Sequence, residues 1–310
     1  MEYRELGSTG IKVSNLSFGA SSLGGVFHPI SNKDGIKTVQ AAVDNGINLI
    51  DCSPYYGDLN AEKVLGSALM HIPRDQYYIS TKVGRYWHRG KKHWDYSAKK
   101  ARESVDQSLK RMHLDCIDFI HCHDIEFADP NQIINETLPA LHRLKESGKI
   151  RWVGITGLPL ENFRKIIDQV SRGIVEVILT FCHYTLQDDS LTDYIEYFNI
   201  KKTGIINASP LGMGLLTERS VPDWHPAGSR IVKICKEAAS FCRDRGRQIE
   251  ELALQFSTQL VNIPTTLVST ANPGTIVQNI KWVEEPIDHD LLQEVLYILK
   301  PVHRKTWKNS

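Results

Sequence analysis

Along nearly its whole length the chain alternates short apolar runs with longer stretches of helical period, a pattern few architectures accept. Candidate strands fall at about 16–19, 47–51, 77–82, 117–123, 150–156, 175–180, 203–208 and 265–269. Helical patterns lie between them, at about 33–45, 60–70, 97–112, 131–147, 159–169, 190–199, 229–258 (read as two helices) and 273–282, with one more near 288–300. Eight strand–helix units in series call for a parallel sheet with helices outside it. Runs such as NLID, CIDFIHC and VEVILT are apolar on both faces, as a sheet covered on both sides requires.

Such a sheet either stays open or closes on itself. An open doubly wound sheet that binds a dinucleotide carries a glycine fingerprint in its first strand–helix turn. Here that turn reads FGASSLGGVF, without the G-x-G-x-x-G spacing. The expected fold is therefore α/β, a closed (β/α)8 TIM barrel. The opening YRELGSTGIKVSNLSFG reads as an N-terminal β-hairpin, and the last helical stretch as an extra C-terminal helix. No linker or low-complexity segment divides the 310 residues, so one domain is expected over 1–310.

Composition narrows the class of function. Charged residues make up 24%, the formal net charge is +1, and the charges are interspersed. No basic block marks a nucleic-acid or membrane-surface partner, and no apolar run is long enough to span a bilayer. The N-terminus lacks the basic and apolar regions of a secretory signal, and the six cysteines are widely spaced. A cytoplasmic location with reduced thiols is the expectation. The expected partner is a small molecule, and the expected state a monomer or a weak homo-oligomer.

In a barrel of this kind chemistry gathers at the C-terminal strand ends. The second strand ends at Asp51, followed by CSPYYG; the third ends at Lys82 and the fourth at His123. Strands lie about 4.8 Å apart, so three such side chains can share one rim, with Tyr55 and Tyr56 brought over it by the loop after Asp51. Singly, each has an ordinary role: a cap, a packing aromatic, a surface lysine, a core histidine. Together they make a proton-transfer set. A phenol is a poor acid or base at neutral pH, a nearby ammonium favours phenolate, and Asp51 can keep Lys82 charged. His123 can hydrogen-bond and orient a substrate oxygen. This suits carbonyl reduction or alcohol oxidation.

Other readings use the same residues. His121, Cys122, His123 and Asp124, with Cys182 and His183, could gather a metal, but the strand ends NASPLG and LVST offer no further ligands, and no metal is expected. Lys82 at a rim also fits a Schiff-base aldolase. Tyr55 and Trp87 are candidate substrate contacts, although the basic and aromatic stretch 86–94, including His88, reads more readily as a solvated loop. Trp224, within loop 210–228, is either a substrate wall or part of a stapled surface loop.

The order Asp51, Tyr56, Lys82, His123 resembles the catalytic tetrad of the aldo-keto reductase family. The likeness covers nearly the whole chain: the opening hairpin, GITGLP, SPLGMGLLTE and the Gln278–Asn279 pair. Within the family, HCHDIEF, CHYTLQDDSL and DWHPA look closest to the L-galactose dehydrogenase-like group. The resemblance implies an NAD(P)-dependent oxidoreductase of aldose 1-dehydrogenase type, with a broad carbonyl reductase or a cofactor-binding regulatory subunit as alternatives. It implies Tyr56 as general acid and base, tuned by Lys82 and Asp51, with His123 orienting the carbonyl or hydroxyl. Thr156 and Gly157 take the positions that hold the carboxamide, and Gly19 and Ala20, in the first strand–helix turn, are further expected cofactor contacts. Thr180 stands where the family often has Gln, and Ala208 where an aromatic commonly stacks. The 209–215 loop, with Ser209, Leu211, Gly212, Gly214 and Leu215, is expected to cradle the pyrophosphate. Ser269, Thr270, Thr275, Gln278 and Asn279 mark a helix N-terminus suited to phosphate. Ser269 and Thr275 are neutral where NADP-preferring members supply bases, so NAD is expected to bind at least as well as NADP.

Overall fold

The strand pattern closes into the expected barrel. In the computed structural model, which describes residues 1–308 and only the backbone of His88, eight parallel strands form one closed sheet. They are β1 (Leu16–Gly19), β2 (Leu49–Asp51), β3 (Tyr78–Val83), β4 (Ile117–Cys122), β5 (Ile150–Gly157), β6 (Val177–Phe181), β7 (Gly204–Ala208) and β8 (Thr265–Ser269). They run in chain order around the barrel, and β8 pairs with β1 through Ser269 and Gly19. Closure leaves no free sheet edge. The helices follow their sequence punctuation. Ser31 caps Asn32–Asp44, Ser97 caps Ala98–Met112, and Asn272 caps Pro273–Glu284, each side chain accepting an otherwise orphan backbone N–H.

The N-terminal hairpin pairs Tyr3–Glu5 with Lys12–Ser14. Its Leu6 and Val13 are fully buried with Phe119, Val177, Leu179 and Ile206, which fill the barrel interior from the N-terminal end. Helices Ser229–Arg243 and Ile249–Gln259 both precede β8, and His289–Leu299 is the extra C-terminal helix. The latter packs with Leu215, Leu216, Ile231 and Cys235 in a second apolar cluster. All six cysteines are free.

One segment differs from the loop expected at 86–94. Arg85–His88 and Lys91–Trp94 form an antiparallel hairpin just after β3. Its two-residue turn is Arg89–Gly90, with φ of 51° and 73°. Positive φ at both positions is what a tight hairpin turn needs, and it matches the twist of the flanking strands. The side chain of His88 lies outside the described residues.

Candidate active site

Adjacent strands bring three of the four tetrad candidates to one rim. Asp51 ends β2 opposite Ser80 of β3, and the Ser80 hydroxyl donates to Asp51 Oδ1 at 2.8 Å. Two residues further along β3, Lys82 Nζ donates to Asp51 Oδ2 at 2.5 Å and to the Cys52 carbonyl at 2.7 Å. Both side chains are buried, at 3% and 1% exposure, so this ion pair is not diluted by water. Burial disfavours the Lys82 charge, but the charge and hydrogen bond of Asp51, with Tyr56 and Cys52 adding to them, together hold the ammonium above its ordinary pKa. A lysine so firmly protonated is a poor imine-forming amine, which argues against the aldolase reading.

Tyr56 sits over this pair. The Lys82 ammonium lies 5.1 Å from its ring centroid, and the His123 ring meets it edge-on at 6.0 Å. The loop is fixed by close backbone contact: a Cβ on Gly24 would fall 2.6 Å from the Tyr56 carbonyl carbon. Gly57, at φ 61°, lies against Gly24, and Asn60 Nδ2 donates to the Leu23 carbonyl at 3.2 Å. Lys82 does pull the phenol toward phenolate, as expected, but it does not decide the net shift. Burial dominates and pushes Tyr56 up to about 12, with Lys82 pulling the other way. Tyr56 is thus a neutral phenol at neutral pH, the form that can give a proton.

His123 follows β4 directly. Burial, then the Lys82 and Arg85 charges, holds its pKa well below the ordinary value, so the ring is neutral. Its Nδ1 lies 3.2 Å from Ser53 Oγ and its Nε2 3.7 Å from Asp124 Oδ2. His121, two residues earlier, lies against Ser80 Oγ at 3.1 Å inside the barrel, and His183 bonds the Leu158 carbonyl and Ser190. The described residues contain no cluster of metal-binding type.

The rim opens into one large cavity of about 1400 Å³, lined by Asp51, Tyr56, Lys82 and His123 at one end and by the start of helix Pro273–Glu284 at the other. Gly19, Thr156, Ser209, Leu211, Gly214, Ser269, Thr270, Thr275, Gln278 and Asn279 all border it, as do Tyr55, Trp87 and Trp224. Ala20, Gly157, Thr180, Gly212 and Leu215 are not among its lining residues. Strand alternation explains two of them. Thr156, Leu179 and Phe181 line the cavity, so Gly157 and Thr180 take the opposite phase; the Thr180 hydroxyl donates instead to the Gly157 carbonyl at 3.2 Å. Leu215 is buried in the second apolar cluster. Ser269 borders the cavity, but its hydroxyl already ties β8 to the first turn, accepting from the Ser22 N–H at 2.9 Å and donating to Ser22 Oγ at 2.8 Å. In the 209–215 turn, the N–H groups of Gly212, Gly214 and Leu215 are spent within the turn itself.

Several lining residues escaped the sequence reading. Arg85 forms a buried ion pair with Asp124, and its guanidinium lies 4.1 Å over the Tyr55 ring. Trp87 stacks on Tyr55 at 5.1 Å and donates Nε1–H to its carbonyl at 2.8 Å. The hairpin after β3 therefore builds one wall of the mouth rather than a solvated loop. Phe181 stands opposite Ala208 in register, supplying on β6 an aromatic that β7 lacks. Trp224 packs on Phe27 at 5.7 Å across the mouth, while His225 staples its loop by bonding the Gly212 carbonyl at 3.0 Å. The stapled loop is thus what the bonding shows, and it carries Trp224 to the border of the cavity.

Residues 15–299 match the aldo/keto reductase family model. The chain belongs to that family. It is an NAD(P)-dependent oxidoreductase. Among its relatives, the L-galactose dehydrogenase of Arabidopsis thaliana is 45% identical, covering 100% of this chain and 98% of that protein. The D-arabinose 1-dehydrogenase of Saccharomyces cerevisiae is 33% identical over 71% of this chain and 67% of its own. The fold matches that of an aldo-keto reductase from Bacillus halodurans, solved in its holo form, with a TM-score of 0.81 at 23% identity, covering 100% of this chain and 99% of that one.

The cavity of this family member suits a nicotinamide dinucleotide. It is larger than the roughly 300–1,000 Å³ of a typical small-ligand site, as a dinucleotide and a substrate together require. It also runs from Asp51, Tyr56, Lys82 and His123 to a helix N-terminus, an end of a helix that favours a phosphate.

Proposed function

We propose that this aldo/keto reductase oxidises an aldose at its anomeric carbon to the lactone, with L-galactose or a similar sugar as substrate and Tyr56 as the proton-handling group. The observation that carries the reading is the convergence of Tyr56 on the buried Asp51–Lys82 pair and the neutral His123. The nicotinamide, when bound, supplies the hydride acceptor. Tyr56 takes the proton of the anomeric hydroxyl and returns one in the reverse direction. Lys82 stabilises phenolate, Asp51 keeps Lys82 charged, and His123 donates Nε2–H to the reacting oxygen. Thr156, which borders the cavity, would bond the carboxamide, and Phe181 and Ala208, also on its border, would form the apolar wall beside the ring.

The substrate class is supported by two observations. The relative matched end to end is an L-galactose dehydrogenase, and others are named as aldose dehydrogenases. The mouth also combines aromatic faces, Tyr55 and Trp87, with the buried charges of Arg85 and Asp124, which is what a polyhydroxylated ring needs: flat apolar surface beside strong hydrogen-bonding groups.

NAD is proposed to bind at least as well as NADP. Ser269, Thr270, Thr275 and Asn279 carry no charge toward a 2′-phosphate of roughly two negative charges. Arg219 does border the cavity, but Glu250 borders it too, so the lining there carries both signs of charge. A panel of aldoses and simple aldehydes assayed with each cofactor tests the whole reading. Lactone formation from L-galactose with NAD supports it; turnover confined to simple aldehydes with NADPH overturns it in favour of a general carbonyl reductase.

A further inference from the structure

Resting on the role proposed for His123, we infer that Ser53 is a positioning residue that selects the His123 tautomer, so that Nε2 rather than Nδ1 presents its N–H to the cavity.

The argument is one of hydrogen accounting. Ser53 is fully buried on the loop between Asp51 and Tyr56. Its Oγ accepts the Tyr55 backbone N–H at 3.1 Å. Among the described residues the one further polar atom within bonding distance of that oxygen is His123 Nδ1, at 3.2 Å. With its oxygen already accepting, Ser53 has one hydrogen to give, and a bare Nδ1 receives it. A protonated Nδ1 would face the same oxygen with its own hydrogen and strand a buried hydroxyl hydrogen without a partner.

The far edge of the ring points the same way. Nε2 lies 3.7 Å from Asp124 Oδ2, itself paired with Arg85. A carboxylate on that side favours an N–H there and repels a lone pair. Ser53 and Asp124 thus bias one ring from opposite edges, and the ammonium of Lys82 and the guanidinium of Arg85 oppose a second proton. The consequence is chemical. An Nε2–H donor polarises a carbonyl and orients a hydroxyl oxygen, whereas a bare Nε2 could only accept. A partner on the remote nitrogen is the general means by which a histidine is held in the useful tautomer.

Nitrogen-15 NMR of the histidine rings in the full-length protein, assigned through a His123→Asn variant, reads the tautomer directly and needs no substrate. The expected spectrum has a protonated Nε2 and a bare Nδ1. Ser53→Ala should shift the ring toward a tautomer mixture and lower kcat by roughly five- to ten-fold with the cofactor Kd unchanged. Ser53→Thr, which keeps the hydroxyl, should restore both. A wild-type spectrum with the proton on Nδ1 overturns the inference, and it does so even if Ser53→Ala fails to fold. So does a folded Ser53→Ala protein that retains the wild-type spectrum or the wild-type kcat. Because the spectrum is taken without substrate, it stands or falls separately from the part assigned to Tyr56.

Discussion

The Lys82 ammonium sits between the Asp51 carboxylate, at 2.5 Å, and the Cys52 carbonyl, at 2.7 Å, with both charged side chains closed off from water. Removing one member of such a pair leaves the other charge buried without compensation, at a cost of about 3–5 kcal/mol. Asp51→Asn should therefore lower the unfolding free energy by about that amount, measured by denaturant titration. The Lys82 pKa is raised in the folded state, so the lysine's side of the pair is fully in place from pH 6 to pH 8, below the ordinary lysine value. It is lost only as pH climbs through the raised folded value. The wild-type and Asp51→Asn proteins should thus differ equally at pH 6 and pH 8; a difference confined to one of them would contradict the pairing.

Tyr56→Phe removes a single oxygen from a partly buried ring and leaves the surrounding packing in place. If that oxygen carries the proton, turnover should fall by about 10² or more while cofactor affinity is retained. Steady-state kinetics with a fluorescence titration of the cofactor separates the two quantities, and a near-normal kcat removes Tyr56 from the mechanism.

The pH dependence follows from the direction of the Tyr56 shift. Burial pushes the Tyr56 phenol up to about 12, so below that value its deprotonated fraction grows about tenfold per pH unit. Sugar oxidation needs the deprotonated form as base and should accelerate from pH 7 into the alkaline range. Carbonyl reduction needs the protonated form and should stay flat over the same interval. Replacing Lys82 by Met removes the charge that opposes this shift, and should move the rising limb to higher pH. Rate profiles in both directions check each part.

Gly24 and Gly57 form a backbone contact on which the seat of Tyr56 depends. Any Cβ at Gly24 would enter the Tyr56–Gly57 peptide, with contacts of 2.6–2.7 Å. Gly24→Ala must push the Tyr56 loop off its seat, an overpacking change that typically costs about 1–3 kcal/mol. Activity should fall further than stability, because displacement by even 1 Å upsets a reacting geometry. Thermal melts and kcat on the same preparation compare the two losses.

The barrel was legible because each strand announced itself as a short apolar run between capped helices, and the grouping of Asp51, Lys82 and His123 at one rim because strand ends are fixed points in such a fold. Two other features were harder to read. Thr180 was placed on the cavity, whereas Leu179 and Phe181 line it: an apolar run buried on both faces carries no alternation to reveal its phase, and a slip of one residue exchanges the faces. The hairpin Arg85–Trp94 hid in a basic, aromatic stretch that looked like a solvated loop. Its signal was the Arg89–Gly90 turn, and missing it concealed Arg85, whose partner Asp124 had been weighed only as a metal ligand.

Phe27 and Trp224 come from different loops and meet across the mouth with ring centroids 5.7 Å apart, each still more than a third exposed. Such a contact contributes about 0.5–1.5 kcal/mol beyond the area it buries. Aromatics arranged over an opening, away from the proton-transfer groups, should affect how substrate is held more than how fast it reacts. Trp224→Ala should raise the sugar KM by roughly two- to ten-fold and leave kcat within about a factor of two. Phe27→Ala should do the same, and the double variant should show less than the product of the two effects, since each single change already breaks their shared contact. Multiplicative losses would mean that the two rings act independently, and an unchanged KM that neither touches the substrate.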